Sequence, residues 1–415
     1  MTYFLRNIYY LIWVIYPIFY SFHASTGGTF LVLLFFGLSG LSCGLYVLFN
    51  YRLSYFFRMI FIFVFFLSLY GFYSIFLDDP FYWKAFDSFI PTNRYVVWLY
   101  TSMLGLFPTY LFAKNGYIDE GFIKKVFFLF LFSGAFVMFR EYKEHNVVME
   151  MMDQDGFANS KSYVLLSLMP FILLFKQKIR IQYFLLAFFV ILLVLSFKRG
   201  AIFLGSVCSV FFLFFGVSFQ NKKQRNVALV CSIVFFLSLF LFVSHLLDTN
   251  AYFNYRIEHT LEGNSSGRDV YASVLMNYFV NETTPLEFFG GSGAMSILSI
   301  NESFAHNDWI AILVEQGLVG LLLFALYWCS YIYTWLKLKY NKQLFTAIGM
   351  LLFIGFGKTF FSVYYLPFTP DGFVSSGYYA VALGYFLAVS EMDFQKRVLN
   401  VLPSEIVFLR KGTDV

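Results

Sequence analysis

The sequence predicts an all-α fold, a polytopic bundle of about twelve transmembrane helices at residues 1–391, followed by a cytoplasmic tail at 392–415. Three observations predict this class. Hydrophobic residues make up 60% of the 415 residues and charged residues only 13%, which is too little polar surface for a soluble globule. Apolar runs long enough to span a bilayer recur along the chain. The basic residues collect in alternate connections between those runs, as in membrane proteins with a fixed orientation.

Each stretch of about 20 apolar residues predicts one span. These stretches lie near 8–22, 28–49, 57–77, 95–113, 126–139, 160–175, 182–197, 200–219, 227–246, 307–334, 343–363 and 374–390. An even number of spans places both termini on one side of the membrane. The connections on that side contain basic clusters such as Lys176, Lys178 and Arg180, whereas the opposite ones contain acids such as Glu258 and Glu262. The positive-inside rule therefore predicts cytoplasmic termini.

Composition also narrows the expected partners and cofactors. The net charge of +5 is spread over several connections, so it favours contact with anionic lipids and does not form the basic domain that nucleic acid requires. The four cysteines lie within apolar runs and lack the paired spacing of a metal site. They are Cys43, Cys208, Cys231 and Cys329. We therefore expect neither a nucleic-acid partner nor a metal.

The clearest cations on the predicted outer side are Lys198 and Arg199. The apolar stretch at 181–219 is far too long for one crossing, so it is expected to form a hairpin that turns at 196–200. Gly200 then begins a helix whose N-terminal amides and dipole favour an anion beside Arg199, such as a diphosphate. The alternative is that both cations only anchor the hairpin among lipid headgroups.

The longest predicted outer segment, residues 247–305, contains two glycine-rich turns. The first, at 263–267, precedes a predicted amphipathic helix that ends near Val280. The second, at 290–293, precedes the return to the membrane and could let the backbone approach a ligand closely.

Arg268 lies at the start of that predicted helix. Its position makes it a second candidate ligand for an anion, because anions bind where helices begin. A local ion pair with Asp269 or Glu262 on a solvated loop explains Arg268 equally well. The residues around Arg268 leave both interpretations open.

His306 lies where the outer segment meets the next apolar run. Its ordinary pKa of about 6.5 lets it act as a general base near neutral pH. Asn307 and Asp308 are expected to form the cap and the first-turn acid of the helix that follows. The alternative is an interfacial histidine with satisfied hydrogen bonds and no chemical role.

Glu315 lies nine residues after His306 (315 minus 306), about 13 Å along a helix, and is therefore an intramembrane carboxylate that needs a partner. Lys358 lies at a comparable predicted depth in the next span. A pair between Glu315 and Lys358 is the expected solution. Gly317 and Gly320 are expected to let neighbouring helices approach closely within the bilayer.

These elements resemble the O-antigen ligase and polymerase superfamily, which are bacterial polytopic membrane glycosyltransferases. The family motif is His followed by Asn, Ser or Gln, then nine residues, Gly, two residues, and Gly, Thr or Tyr. His306, Asn307, Gly317 and Gly320 satisfy every element of it. The predicted turn at 196–200 resembles the family's Ser-x-x-Arg-Gly turn.

Two further stretches add to the resemblance. Gly267, Arg268 and Asp269 match the Gly-Arg-Asp element of the family's outer loop, and the stretch 157–159 resembles a recurrent Asn-containing segment. The elements occur in the family's order. The resemblance covers residues 156–326, whereas the first 150 residues resemble the family only in hydropathy.

The resemblance implies a GT-C-like membrane fold in the bacterial inner membrane, with an active site on the periplasmic side and no metal or other cofactor. It implies an undecaprenyl-diphosphate-linked oligosaccharide as donor and a sugar hydroxyl as acceptor, with inversion at the anomeric carbon. Carried over to this chain, His306 activates the acceptor, and Arg199 and Arg268 bind the diphosphate, with Lys198 and Asn307 beside them. The residues expected to support this site are Glu315, Lys358, Gly317 and Gly320.

Several functions stay open on these residues. A polymerase that extends a lipid-linked surface glycan is favoured by the short outer segment of 59 residues (305 minus 247 plus one). A ligase that transfers the finished glycan to lipid A core has the same motifs. A flippase for lipid-linked oligosaccharides and a structural membrane protein are the alternatives from other classes, although transporters typically show paired repeats and broken helices. A chain-length regulator or a flippase is a possible protein partner.

Overall fold

Helices dominate the protein. A computed structural model describes residues 2–22, 37–42, 44, 62–63, 65–69, 81–83, 88–90, 101–152, 158–159, 161–175, 178–216, 222–261, 268–294, 296–301, 306–361 and 370–401. One antiparallel pair of three-residue strands, β1 (Phe81–Trp83) and β2 (Ser88–Ile90), lies between two predicted spans. The prediction of a helical protein is therefore confirmed.

Helical elements follow one another along the described part of the chain. They are α1 (Thr2–Phe22), α2 (Thr101–Lys114), α3 (Glu120–Met152), α4 (Ser162–Leu166), a 3-10 helix (Met169–Phe175), α5 (Ile179–Leu195), α6 (Arg199–Phe211) with a π-helical extension (Phe212–Gly216), α7 (Lys222–Thr249), α8 (Ala251–Leu261), α9 (Arg268–Asn281), α10 (Pro285–Gly290), α11 (Ser296–Asn301), α12 (Asp308–Lys337), α13 (Lys342–Phe361) and α14 (Pro370–Val401). Most of the predicted spans overlap these helices, and the predicted spans at 28–49 and 57–77 lie largely outside the described residues.

Four of these helical segments are long and apolar enough to cross a membrane by length and composition. They are Glu120–Lys143, Arg199–Gly216, Asp308–Lys337 and Lys342–Phe360. Shorter apolar helices lie at Ser162–Phe175, Ile179–Leu195 and Leu237–Thr249. These segments indicate a membrane protein, in agreement with the composition.

Several boundaries differ from the sequence prediction. Helix α3 continues to Met152, well past the apolar run, and α14 continues to Val401, past the predicted domain end at 391. The reason is that an apolar run marks the part of a helix that suits lipid, whereas Glu, Lys and Met continue a helix readily into water. The remaining tail, 402–415, lies outside the described residues.

One part of the bundle is built on α14, which packs mainly against α2 and also contacts α1. A Cβ on Gly384 would lie 2.5 Å from the carbonyl oxygen of Leu106, so glycine lets α14 and α2 approach closely. The Tyr378 hydroxyl of α14 donates to the carbonyl of Trp13 over 3.1 Å. Its ring stacks on Phe130 of α3 at 4.0 Å between centroids. These contacts hold α14 against α1, α2 and α3.

The predicted outer segment is itself helical. Helices α9, α10 and α11 pack against α12, so the segment folds back onto the helix that follows it. The predicted helix at Arg268 is confirmed as α9, but its apolar residues do not share one face. Leu275 and Phe279 are buried, whereas Val270 and Val280 are exposed. The prediction of an amphipathic helix was therefore wrong in that respect, because apolar side chains of α9 also lie exposed away from its buried face.

Candidate functional site

The predicted cap of α12 is confirmed. The Asn307 side-chain oxygen accepts hydrogen bonds from the backbone N–H of Trp309 at 3.0 Å and of Ile310 at 3.4 Å. These bonds satisfy two of the N–H groups that a helix leaves unpaired at its start. The Trp309 indole N–H donates to the Thr359 hydroxyl of α13 over 2.9 Å. The start of α12, and with it His306 just before the cap, is thus held against α13.

His306 adopts a left-handed backbone conformation, with φ of 50°. Phe197, in the hairpin turn, has φ of 51°, and these two are the non-glycine residues with positive φ in the part of the chain that the structure describes. Such a conformation costs about 1–3 kcal/mol and is found preferentially at functional sites. The two strained residues lie in two of the motifs, the turn at 196–200 and the His306 motif.

The predicted hairpin is confirmed, and it turns between α5 and α6. The Ser196 hydroxyl donates to the carbonyl of Leu193 at 2.6 Å and accepts from the Lys198 N–H at 3.3 Å. Its carbonyl accepts from the Asn159 N–H at 2.8 Å. The Phe197 ring packs at 5.2 Å from that of Phe253 on α8. Ser196 and Phe197 therefore hold the turn in place, and the helix begins at Arg199, one residue earlier than expected.

Asn159 belongs to the Asn-containing stretch that resembles the family. It is fully buried, and its side-chain amide donates to the carbonyl of Met138 on α3 at 3.2 Å. Its side-chain oxygen accepts from the N–H of Lys161 at 2.9 Å. Together with the bond to Ser196, these contacts join the hairpin turn to α3 and to the start of α4. Asn159 therefore positions the turn.

The structure brings Lys198 and Arg268 to His306. Burial, followed by the positive charges of Arg268 and Lys198, lowers the pKa of His306 to about 4. Lys198 is the N-cap residue of α6, Arg268 is the first residue of α9, and His306 directly precedes the cap of α12, so cations at the starts of two helices act on a histidine at the start of a third. The amides and dipoles of helix N-termini attract anions. A partly buried neutral imidazole thus lies in a positive field.

Arg199 follows Lys198 as the first residue of α6 and is partly buried. Lys198, its neighbour in the turn, contributes to the lowered pKa of His306. The role of Arg199 in binding a diphosphate stays a prediction that comes from the family resemblance.

The predicted pair between Glu315 and Lys358 was wrong. The Lys358 ammonium donates to the Ser375 hydroxyl of α14 over 3.2 Å, and the carboxylate that interacts with it electrostatically is Asp308. Asp308 and Lys358 are both buried, at 1% and 3% exposure. The depth comparison failed because it treated α12 as one straight helix, whereas Asp308 at its start already lies beside α13. Glu315 is fully buried further along α12.

Gly317 interrupts α12. It has φ of 63° and ψ of −163°, and a Cβ there would lie 2.5 Å from the backbone of Phe289. The carbonyls of Val314 and Glu315 accept from the N–H groups of Ser292 at 2.8 Å and Gly293 at 3.1 Å. The glycine-rich turn therefore satisfies carbonyls near the break. Only glycine fits this backbone conformation and this close approach.

The roles expected for the glycines change accordingly. The close approach at Gly317 is to the turn at 290–293, rather than to a neighbouring span. Gly291 makes the reciprocal contact, since a Cβ there would lie 2.2 Å from the carbonyl oxygen of Glu315. The close neighbour of Gly320 is the Gln316 side chain of the same helix, 2.2 Å from an added Cβ. These glycines shape α12 and the turn beside the site.

Three residues near the site were not found by sequence reasoning. Asp308 was interpreted only as a first-turn acid, although it is also the charge beside Lys358. Ser375 accepts from Lys358 and donates to the carbonyl of Tyr163 at 3.3 Å. Tyr163 lies in an apolar run, and its ring centroid is 5.7 Å from the Lys358 ammonium. A serine and a tyrosine within apolar runs give no signal in one sequence.

The described residues contain no group of three or more His, Cys, Asp or Glu side chains that could hold a metal ion. At His306 the structure shows a partly buried imidazole whose pKa is lowered by burial and by the charges of Arg268 and Lys198. Comparison of the chain with protein-family models and with curated proteins gives no match.

Proposed function

We propose that the protein is a membrane glycosyltransferase that transfers an undecaprenyl-diphosphate-linked oligosaccharide to a sugar hydroxyl, and that it polymerises a bacterial surface polysaccharide such as O-antigen. The observation that supports this most strongly is the placement of His306 among Arg268, Lys198 and three helix N-termini. An anionic leaving group suits such a field. The motif resemblance to O-antigen ligases and polymerases supplies the substrate class.

In the proposed reaction, an acceptor hydroxyl oxygen attacks the anomeric carbon of the donor sugar. The bond between that carbon and the diphosphate oxygen breaks, and the configuration inverts. His306 takes the hydroxyl proton, while Arg268, Lys198 and Arg199 stabilise the charge on the departing diphosphate. The proton thus ends on His306, and the negative charge of the departing diphosphate is stabilised by the cations.

The low pKa of His306 fits this sequence of events. Before the donor binds, burial and the cations keep the imidazole neutral, so it is ready to accept a proton. The bound diphosphate offsets the two positive charges and raises the pKa of His306, which strengthens it as a base. The base therefore gains strength when the donor is in place.

The proposal includes the architecture expected from the sequence. The chain crosses the bacterial inner membrane about twelve times in a GT-C-like bundle, with both termini in the cytoplasm and His306 on the periplasmic side. The short helices α8–α11 then belong to the periplasmic segment. Neither a metal nor another cofactor takes part in the proposed chemistry, and the lipid-linked donor reaches the site from the membrane.

The test compares surface glycans from cells that lack this gene and are complemented with variants. We expect His306→Ala to abolish glycan transfer while the protein still inserts into the membrane, because the variant lacks the base. His245→Ala is the matched control, since His245 is an exposed histidine of α7, and it should restore the wild-type pattern. The readout is glycan banding on a gel, with the membrane level of each variant measured in parallel.

The banding pattern also distinguishes the functions that share these motifs. A single repeat on the lipid core in place of a ladder indicates a polymerase. Complete absence of glycan on the core, with lipid-linked polymer accumulating, indicates a ligase. If His306→Ala restores the wild-type ladder, His306 is not the base, and a flippase or a structural role replaces the proposed chemistry.

A further inference from the structure

Tyr163 is a buried phenol beside the candidate site. Its side chain is only 6% exposed, and its hydroxyl oxygen is buried without a hydrogen-bond partner among the described residues. A buried tyrosine hydroxyl normally has a partner, because leaving it unpaired costs the hydration that it has lost. An unpaired hydroxyl in a native protein therefore calls for an explanation such as a bound ligand.

The surroundings of Tyr163 indicate the chemistry of that ligand. The charge of Arg268 acts on the Tyr163 hydroxyl, and the same charge acts on His306. The Lys358 ammonium lies 5.7 Å from the ring centroid. The Tyr163 hydroxyl and His306 thus share the charge of Arg268, so a ligand oxygen that accepts a hydrogen bond from this hydroxyl is stabilised twice, by the donor and by the cation.

The backbone of Tyr163 is fixed independently of the hydroxyl. Its carbonyl accepts from Ser375 at 3.3 Å and from Ser167 at 2.8 Å, and Ser375 in turn accepts from Lys358. The backbone of Tyr163 is therefore joined to α14 whether or not the hydroxyl is present. A hydrogen bond from the hydroxyl to another protein group would indicate a structural role for the hydroxyl. The described residues provide no such bond.

We infer that the Tyr163 hydroxyl donates a hydrogen bond to a phosphoryl oxygen of the diphosphate that binds beside Arg268. This inference rests on the proposed function and adds a neutral donor to its cations. A hydroxyl adds direction to the contact, since its single O–H must point at one oxygen. Tyr163 thereby orients the leaving group relative to His306.

The test uses the full-length protein in detergent and the rise in its thermal midpoint on binding two ligands, inorganic diphosphate and undecaprenyl diphosphate. Tyr163→Phe removes only the hydroxyl. We expect its midpoint without ligand to equal or exceed that of the wild type, because an unpaired buried polar group is lost. The concentration of either ligand needed for a given midpoint shift should rise about tenfold, as for a lost hydrogen bond to a charged group.

Tyr378→Phe is the matched control. Tyr378 is also a buried tyrosine, but its hydroxyl donates to the carbonyl of Trp13 at 3.1 Å. It should show the opposite pattern, a lower midpoint without ligand and an unchanged response to both ligands. A Tyr163→Phe variant that behaves like Tyr378→Phe has lost a structural contact, and the inference is then wrong.

The remaining outcomes separate this inference from the proposed function. Wild-type binding of diphosphate together with unchanged binding by Tyr163→Phe overturns the role of Tyr163 and leaves the proposed transferase intact. An effect confined to undecaprenyl diphosphate overturns the assignment to a phosphoryl oxygen and places the contact on the lipid. No midpoint shift of the wild type with either ligand overturns both the inference and the diphosphate site.

Discussion

Two polar regions, one on α14 and one linked to it, differ in the signs of the charges that the protein places in them. The glutamate cluster, formed by Tyr110, Lys114 and Glu391, lies near its C-terminal end. The histidine cluster, formed by Lys198, Arg268 and His306, is linked to α14 near its N-terminal end through Ser375 and Tyr163. Ser375 and Glu391 are sixteen residues apart (391 minus 375), which is about 24 Å along a helix.

In the glutamate cluster, the protein supplies both charges. The Lys114 ammonium lies 2.8 Å from a carboxylate oxygen of Glu391, and the Tyr110 hydroxyl donates to the other oxygen. Glu391 is only 2% exposed, and its two oxygens have these protein donors. This region joins α2 to α14 and is complete without a ligand.

In the histidine cluster, the charges that act on the imidazole are both positive. Cations at the first turns of α6 and α9 are also placed where the helix dipole disfavours them, by about 0.3–1 kcal/mol each. The helix dipole does not account for this placement, which fits the anion site that we propose. The glutamate cluster therefore holds helices together with charges that the protein itself supplies, whereas we propose that the histidine cluster binds an anion.

The largest expected effect breaks the glutamate cluster. Glu391→Ala leaves the Lys114 ammonium and the Tyr110 hydroxyl without the carboxylate and should lower the free energy of unfolding by about 3–5 kcal/mol. Transfer activity per folded molecule should not change. The measurement is the unfolding midpoint in detergent, together with activity normalised to folded protein.

The matched control is Glu120→Ala. Glu120 pairs with Lys124 at 2.6 Å, but both side chains are substantially exposed, at 45% and 31%. An exposed pair of this kind contributes about 0.3–0.5 kcal/mol. If Glu391→Ala costs no more than Glu120→Ala, the glutamate cluster does not hold the bundle together and the comparison fails.

The next effect concerns the histidine cluster and appears in activity rather than in stability. Arg268→Ala should lower kcat/KM by about 10²-fold, roughly 3 kcal/mol of transition-state stabilisation. Its unfolding midpoint should change little, because a cation is removed from the start of α9, where the helix dipole disfavours it. Steady-state kinetics with a lipid-linked donor and thermal unfolding give the two readouts.

Arg180→Ala controls for the loss of an arginine near the start of an apolar helix, since Arg180 is exposed in the first turn of α5. It should keep wild-type kinetics. A large loss of midpoint in Arg268→Ala with unchanged kcat/KM would make the histidine cluster structural, like the glutamate cluster.

Much of the helical fold could be predicted from hydropathy, because the bilayer requires long apolar segments that satisfy their own backbone hydrogen bonds. The hairpin turn at Lys198 and the cap at Asn307 were also predicted, since the chemistry of both is local. Helix ends such as those of α3 and α14 were missed because hydropathy reports the lipid-facing part and not the whole helix.

The site was predicted less completely. His306, Arg268 and Lys198 were identified by local motifs, and the structure places them together. The partner of Lys358 was missed because it depends on where α12 begins relative to α13. Tyr163 was missed because the feature that singles it out is a buried hydroxyl without a hydrogen-bond partner among the described residues. Pairings across the bundle are decided by packing, which a single sequence does not reveal.

The smallest expected effect is a shift in pH dependence, and it sharpens the contrast between the clusters. Burial, with the charges of Arg268 and Lys198, lowers the pKa of His306 to about 4 in the free protein. The base is therefore present at neutral pH, and the histidine should limit kcat/KM only as the pH falls through this low value. Bound diphosphate offsets both cations, so the acidic limb of kcat should lie at higher pH than that of kcat/KM.

Arg268→Ala should narrow the difference in pH between the acidic limbs of kcat and kcat/KM, because the variant lacks one of the positive charges that the diphosphate offsets. The variant's free-protein pKa for His306 rises toward its ordinary value, and the acidic limb of kcat/KM moves to higher pH with it. Glu391→Ala, in the glutamate cluster, should leave both limbs where they are in the wild type. Identical limbs in the wild type and Arg268→Ala would show that the arginine does not act on the base, since a positive charge near a titrating imidazole must move its pKa.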